Sequence, residues 1–160
     1  MDSNNEYTYT PLKQPDKTIR LLKILSTAPH ISCQLSVVAL ADSPVFSALS
    51  YVWGDPNITE LIAVDGGAIS VTVNLASALR GVYGHWARGQ HIAPGEVQWL
   101  WADALCINQQ DIPEKNLQLP LMEKIYSDAH RVIAWLGSDD DEVACRAVDA
   151  GNLVWSKISQ

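Results

Sequence analysis

The sequence predicts an α/β domain in which a mainly parallel central sheet is flanked by helices. Two short apolar segments, WLWA at residues 99–102 and RVIAWL at residues 131–136, carry this prediction together with the helical pattern between them. Aromatic and β-branched residues in runs this short are typical of buried strands. A strand–helix–strand crossover places both of its strands parallel in one sheet, so a parallel sheet is expected.

The composition indicates a single domain. The chain has 160 residues, of which 48% are hydrophobic, and this is enough to bury one core. Residues 1–17 are polar, and we predict that they form a flexible N-terminal arm in front of a domain at residues 18–160. The sequence shows no signal peptide and no apolar run of membrane-spanning length, so we predict a cytoplasmic protein without a membrane span.

Charge and cysteine usage argue against several other classes of protein. The net charge is -7 and the sequence has no basic patch, so we predict no nucleic-acid partner. Cys33, Cys106 and Cys145 lie far apart in the sequence, which is typical of a reduced, intracellular chain. The histidines show no metal-ligand spacing with these cysteines, and we therefore predict no metal site.

An added N-terminal strand pair and a β-hairpin are predicted ahead of the crossover. The predicted strands are residues 18–26, 31–40, 46–53, 61–64 and 68–73. The last two flank Asp65-Gly66-Gly67, a sequence typical of a hairpin turn because glycine accepts positive φ without steric cost. Asn74 then has the residue type and the position of a helix N-cap.

The crossover helix is predicted to begin at Asp111 and to contain a break. Asp111 fits the N-cap position, and Glu114 is placed to reach back to it as a capping box. Leu117, Leu121 and Ile125 fall on one face of the expected helix at four-residue spacing, which is typical of a face packed on a core. Pro120 lacks the backbone donor that a helix interior needs, so it should kink the helix or end its first half.

A last helix is predicted after the second strand of the crossover. The acidic residues 139–142 follow Ser138, and carboxylates in a first turn are stabilised by the positive end of the helix dipole. We expect this helix to extend to Trp155 and to pack back on the sheet.

Three segments resemble the three sequence blocks of the fungal heterokaryon-incompatibility (HET) domain. The blocks in this chain are residues 46–55 (FSALSYVWGD), 64–80 (VDGGAISVTVNLASALR) and 99–137. They contain the elements Y-x-W-G at 51–54, N-L-x-x-A-L at 74–79 and W-x-D-A-x-C-I-N-Q at 101–109. The resemblance covers about residues 18–137, and the order and spacing of its motifs make it specific.

The resemblance implies an effector domain of fungal non-self recognition that triggers programmed cell death. HET domains are similar in role to effector domains of innate-immune receptors, and they usually belong to larger proteins whose other parts sense a partner. The expected partners are therefore a sensor domain, other proteins, and further copies of the chain through regulated self-association. We expect the functional surface at the loop of residues 51–55 and the corner of residues 103–109.

Residues 47–55 are also similar to the first strand and loop of Toll/interleukin-receptor (TIR) domains, which implies a TIR-like sheet. Some TIR relatives cleave NAD at the nicotinamide–ribose bond with a glutamate. This similarity implies a second hypothesis, a glycosidase with NAD as its substrate, and no other cofactor is predicted. A third hypothesis is an inactive, degenerate copy, because Pro120 departs from the pattern of the HET family.

Three carboxylates are candidates for the catalytic group of such a glycosidase: Asp103, Glu114 and Glu142. Asp103 follows a predicted parallel strand, where α/β sheets bind ligands, but it also fits a hydrogen-bonding role in the turn. Capping explains Glu114, and stabilisation by the helix dipole explains Glu142. Two of these carboxylates in a cleft beside Trp53 would favour the enzyme, whereas carboxylates occupied in caps would favour an adaptor.

Seven further residues are candidates for binding: Tyr51, Trp53, Gly54, Asp55, Cys106, Asn108 and Gln109. Tyr51 and Trp53 fit either a buried core or a crevice beside the turn at Gly54 and Asp55. Cys106 has no histidine nearby in the sequence, so a structural role is favoured over that of a nucleophile. Asn108 and Gln109 either satisfy backbone groups of the turn or hold a ligand.

Overall fold

The computed structural model describes residues 5–88, 98–139 and 142–149, with side chains as far as Gly137. The strands in this part of the chain are β1 (Thr18–Ser26), β2 (Ser32–Ala39), β3 (Ser47–Ser50), β4 (Thr59–Val64), β5 (Gly67–Thr72), β6 (Leu100–Trp101), β7 (Arg131–Asp139) and β8 (Glu142–Asp149). The helices are α1 (Val73–Ala87), α2 (Asp103–Cys106), α3 (Ile112–Gln118) and α4 (Met122–Asp128), with short 3₁₀ segments at Leu40–Asp42 and Leu119–Leu121.

All of the described strands join one mixed sheet in the order β5-β4-β2-β1-β6-β3-β7-β8. The α/β class is therefore confirmed, but the prediction of a mainly parallel sheet is wrong. Strand β1 is antiparallel to both of its neighbours, β4 and β5 are antiparallel, and so are β7 and β8. Short connections account for the antiparallel pairs β1/β2, β4/β5 and β7/β8, because a tight turn can join only antiparallel strands. The predicted strand pair and hairpin thus extend the central sheet itself.

The crossover is present at the centre of the sheet. Strands β6 and β7 lie on either side of β3, and both run parallel to it. Ala48 of β3 is paired with Trp101 on one side and with Val132 on the other. The chain passes from β6 to β7 through α2, α3 and α4, so the predicted parallel relation of these two strands is confirmed.

Helix α1 packs an apolar face on the sheet. Its buried residues are Leu75, Ala76, Ala78, Leu79 and Val82, whose spacing follows the helical period. The N-cap is Thr72, whose side chain accepts a hydrogen bond from Leu75 N at 3.3 Å. The prediction of Asn74 as the cap is wrong by two residues, and Asn74 instead binds another loop. Among the described residues, no helix has the length and apolar composition required to cross a bilayer.

The crossover helix is divided where Pro120 occurs. Asp111 caps α3 as predicted, accepting from Glu114 N at 3.0 Å, and Leu119–Leu121 then forms a 3₁₀ segment before α4 begins. The predicted apolar face is wrong for the first half, because Leu117 is 46% exposed and the buried side chains of α3 are Glu114 and Gln118. Ile125 in α4 is buried as predicted.

The prediction of a last helix is wrong for residues 142–149, which form β8 antiparallel to β7. Without β8, the backbone of β7 would have an unpaired edge, and pairing two strands of this length satisfies both sets of backbone groups. This gain outweighs the favourable placement of carboxylates at a helix N-terminus, which is worth only about 1 kcal/mol. The rest of the predicted helix, residues 150–155, lies outside the described residues.

Candidate functional site

The two segments predicted to form the functional surface meet at one edge of the sheet. Strands β3 and β6 are parallel neighbours, so the loop of residues 51–55 and the corner of residues 103–109 both start at their carboxyl ends. The indole Nε1 of Trp53 donates to the carboxylate of Asp103, at 3.2 Å from each oxygen. This contact connects the first sequence block to the third.

Asp103 has a partly buried carboxylate whose oxygens are engaged. Oδ1 also accepts from Ala104 N at 2.8 Å, which holds the carboxylate at the start of α2. Burial raises the pKa of Asp103, while the hydrogen bonds from Trp53 and Ala104 act in the opposite direction. The backbone oxygen of Asp103 accepts from Gln109 Nε2 at 2.9 Å, so one residue anchors both ends of the corner.

A cleft of about 260 Å³ opens beside this contact. We use "the cleft" for the space lined by Glu6, Tyr7, Tyr9, Tyr51, Trp53, Ile69, Ser70, Val71, Thr72, Ala104, Asn108, Gln109 and Gln110. Of the predicted binding residues, Tyr51, Trp53, Asn108 and Gln109 lie in this lining. The hydroxyl oxygen of Tyr51 is buried and has no hydrogen-bond partner among the described residues. The cleft therefore offers both aromatic rings and polar groups to a binding partner.

Sequence reasoning missed two walls of the cleft. Tyr7 and Tyr9 come from the predicted arm, and residues 69–72 come from β5 of the hairpin. The alternation Tyr7-Thr8-Tyr9 is a signal that could have identified an extended segment with one apolar face. The short stretch was overlooked because polar residues surround it.

Gly54, in the first block, leaves room for the side chain of Asn74 from the second block. Its φ is +77°, and a Cβ at this position would lie 2.6 Å from Asn74 Nδ2. Asn74 Nδ2 donates to Val52 O at 3.1 Å, so the side chain from α1 holds the loop from β3. Asp55 is exposed and accepts from Asn57 N at 2.9 Å, which stabilises the turn that follows.

Replacing Gly54 tests this contact between the blocks. We expect Gly54→Ala to lower the free energy of unfolding by about 2 kcal/mol, because it combines an unfavourable positive φ with an overlap on Asn74. Gly66→Ala is the matched control, since Gly66 has φ +81° but open space where the Cβ would be. The control should lower the free energy of unfolding by about 1 kcal/mol, and urea denaturation measures both losses. Equal losses would show that the approach of Asn74 is unimportant.

Cys106 lies in the core and is not part of the cleft lining. It is fully buried, and burial raises the pKa of its thiol to about 12. A thiol with this pKa is protonated at neutral pH and is a poor nucleophile. Its sulfur is 3.4 Å from Ala102 N, where it packs inside the corner.

Glu114 forms a buried ion pair with Arg20. Arg20 Nη1 and Nη2 donate to the two carboxylate oxygens at 2.5 Å and 3.0 Å, and both side chains are almost fully buried. Glu114 Oε1 also accepts from Asn108 N at 3.0 Å, which fixes the corner beside the cleft. The predicted capping box is wrong, because the N–H of Asp111 donates to Asn108 O instead.

The other donors of Arg20 bind backbone oxygens on two sides of the ion pair. Nη1 donates to Cys106 O at 3.2 Å and Nη2 donates to Thr10 O at 2.9 Å. One guanidinium thus joins β1, the corner, α3 and the N-terminal segment. Glu142, the third candidate carboxylate, begins β8 at the opposite end of the sheet from β5, which lines the cleft.

Comparison with known proteins agrees with the motif resemblance. Residues 46–159 match the sequence profile of the family described as "Heterokaryon incompatibility protein (HET)". The chain is 34% identical over 151 residues to "Heterokaryon incompatibility protein 6, OR allele" of Neurospora crassa. This similarity covers 90% of the chain but only 22% of that relative. No solved structure matches the chain, so the TIR-like fold stays a prediction.

Proposed function

Because the chain belongs to the heterokaryon-incompatibility (HET) family, we propose that it is an effector domain of fungal non-self recognition that triggers programmed cell death. The similarity to a heterokaryon incompatibility protein of Neurospora crassa supports a role in heterokaryon incompatibility. We further propose that the domain acts in the cytoplasm through self-association and contacts with a sensor. The free, buried thiols of Cys33 and Cys106 accord with that compartment.

One observation supports the cleft as the effector surface: side chains from all three sequence blocks fix its walls. Trp53 is held by Asp103, and the loop that carries Trp53 is held by Asn74 through Val52 O. Gln109 is held by the backbone of Asp103. Side chains that are positioned by several hydrogen bonds present a constant shape, which favours specific recognition of a partner.

The same geometry favours an adaptor over a glycosidase. Among the side chains that the structure describes, Asp103 is the predicted carboxylate that contacts Trp53, and its oxygens already accept hydrogen bonds. Glu114 is neutralised by Arg20 in the core. The glycosidase alternative therefore rests on Asp103, whose carboxylate would have to stabilise a cationic transition state. The kink at Pro120 does not argue for an inactive copy, since Ile125 beyond it still packs in the core.

Expression of the chain in a filamentous fungus tests this proposal. We expect the unaltered chain to kill the cells and Asp103→Ala to leave them viable, because alanine releases Trp53 and the start of α2. Asp103→Asn keeps an acceptor for Trp53 and should retain killing if the carboxylate acts by positioning. Glu123→Gln, an exposed change on α4, is the control and should kill as the unaltered chain does.

Cellular NAD, followed over the same time course, separates the two functions. An adaptor predicts that NAD stays constant until viability falls. A fall in NAD that precedes death, and that both Asp103 variants prevent, would favour the glycosidase instead. Survival of cells that express the unaltered, folded chain would contradict the effector proposal and favour an inactive copy. Full killing by a folded Asp103→Ala protein would show that this corner is not the functional surface.

A further inference from the structure

The N-terminal segment of residues 5–10 extends the sheet beyond β5. Glu6 and Ala68 form a parallel bridge, in which Tyr7 N donates to Ala68 O and Ala68 N donates to Asn5 O, both at 2.8 Å. Strand β5 is the terminal strand of the described sheet, so these bonds satisfy backbone groups at its edge. This is the geometry by which an extended peptide adds to an exposed sheet edge.

Two tyrosines that line the cleft anchor this segment. Tyr7 and Tyr9 are two residues apart, so in an extended segment their side chains lie on the same face. Their rings contact edge to face with centroids 4.9 Å apart. Tyr9 Oη donates to Leu105 O at 2.7 Å, and the guanidinium of Arg20 lies 4.9 Å from the Tyr9 ring centroid. The segment thus binds by backbone pairing with aromatic side chains at alternate positions.

The edge is shaped to receive this segment at Gly67. A Cβ on Gly67 would lie 2.7 Å from Tyr7 Cα and 3.0 Å from Tyr7 N. Both atoms belong to the backbone, so the segment would have to move away to avoid the overlap. Gly67 has an ordinary φ, and the substitution Gly67→Ala is therefore strained only by the seated segment. Of the glycines that the structure describes, Gly67 is the one whose added methyl group would overlap the segment.

We propose that the β5 edge and the corner form an acceptor for the N-terminal segment of a second copy of this chain. The occupant is defined by the molecule itself: residues 5–10 already fill the acceptor of their own chain. Every copy carries the same segment and the same acceptor, so each contact is reproduced when two copies exchange their segments. This inference deepens the proposed function, because it identifies the surface through which the effector self-associates.

The closed monomer is the dominant state in dilute solution. Residues 11–17 connect the segment to β1, and a short tether of this kind gives an effective concentration on the order of millimolar. A second copy competes with that tethered segment only when chains are brought together at a comparable local density. Recruitment to a shared platform would therefore drive exchange, and dispersal would reverse it. Association is regulated without any change in the contacts themselves.

Two complementary full-length variants test the proposal. Tyr7→Ala/Tyr9→Ala removes both anchors from the segment and leaves the acceptor unoccupied. Gly67→Ala blocks the acceptor and leaves an intact, released segment. We expect each purified variant to be monomeric alone, and a one-to-one mixture to form a heterodimer of twice the monomer mass in analytical ultracentrifugation. Gly67→Ala is called a donor variant because its released segment is available to another copy. Ala68→Pro is a second donor variant, since it removes the N–H that binds Asn5 O and so weakens the acceptor of its own chain.

The controls make the outcome specific. Circular dichroism verifies that each variant is folded. A triple variant that combines Tyr7→Ala, Tyr9→Ala and Gly67→Ala lacks both the anchors and an open acceptor, so it should not associate with either of the two complementary variants. A mixture that stays monomeric with both donor variants would overturn the proposal and make the segment a fixed wall of the cleft. The measurement uses purified chains, so it does not depend on cell death. A failure of the proposed function would appear in the viability assay alone.

Discussion

Replacing Glu114 by alanine is expected to lower the free energy of unfolding by about 3–5 kcal/mol. The change leaves the buried guanidinium of Arg20 without its counter-charge, in a site where Arg20 is only 2% exposed. It also removes the acceptor for Asn108 N at the corner. Breaking one partner of a buried pair is costly because the remaining charge cannot regain its hydration. Urea denaturation of the two proteins measures the difference.

The exposed pair of Glu60 and Arg80 supplies the matched control. These side chains are 33% and 42% exposed, and Glu60→Ala should lower the free energy of unfolding by less than about 1 kcal/mol. Solvent screens the charges of such a pair, and water rehydrates the partner that remains. A loss at Glu114 no larger than the loss at Glu60 would contradict the assignment of Arg20 and Glu114 as a buried structural pair.

Replacing Gly81 by alanine is expected to lower the free energy of unfolding by about 3 kcal/mol. Alanine normally stabilises a helix relative to glycine, but here a Cβ would overlap the indole of Trp135 and lie 2.7 Å from its Cη2. Trp135 in β7 is 7% exposed and has little room to move. The absent side chain at Gly81 is therefore what lets α1 approach β7. Thermal and urea denaturation both report this loss.

Gly84, three residues further along α1, is the control for that substitution. A Cβ at Gly84 would have Arg88 Nη1 as its nearest neighbour, at 3.8 Å, which is an ordinary contact. Gly84→Ala should raise the free energy of unfolding by about 0.5–1 kcal/mol, through the lower backbone entropy of the unfolded chain. Opposite signs for the two substitutions are expected. A stabilising Gly81→Ala would show that Trp135 does not pack against α1 as described.

Local patterns in the sequence predicted most of the elements. The bounds of β1 agree with the prediction of residues 18–26, and the hairpin and the crossover occur in their predicted order. These elements are specified by alternation, by turn residues and by helical spacing, which all act over a few neighbouring positions. The mixed sheet and β8 were not predicted, because strand pairing depends on which edges remain open after the other strands have joined.

The candidate site was predicted in part for the same reason. Trp53 and Asp103 both follow parallel strands, and the rule that strand ends share one sheet edge was enough to expect them together. The partner of Glu114 was not foreseen, because Arg20 lies in an apolar strand far away in the sequence. The two side chains meet only when the tertiary fold brings β1 beside α3. Local reasoning assigned Glu114 to the nearest backbone group, whereas the fold supplied a buried cation.

The position of Arg20 couples two regions that the chain keeps far apart. Its guanidinium binds Thr10 O in the N-terminal segment and Cys106 O in the corner, so both segments depend on the orientation of one side chain. Thermodynamic reciprocity then applies: a molecule that binds the corner more tightly while the segment is seated must stabilise the seated segment by the same free energy. A molecule that prefers the corner with the segment withdrawn must favour release to the same degree.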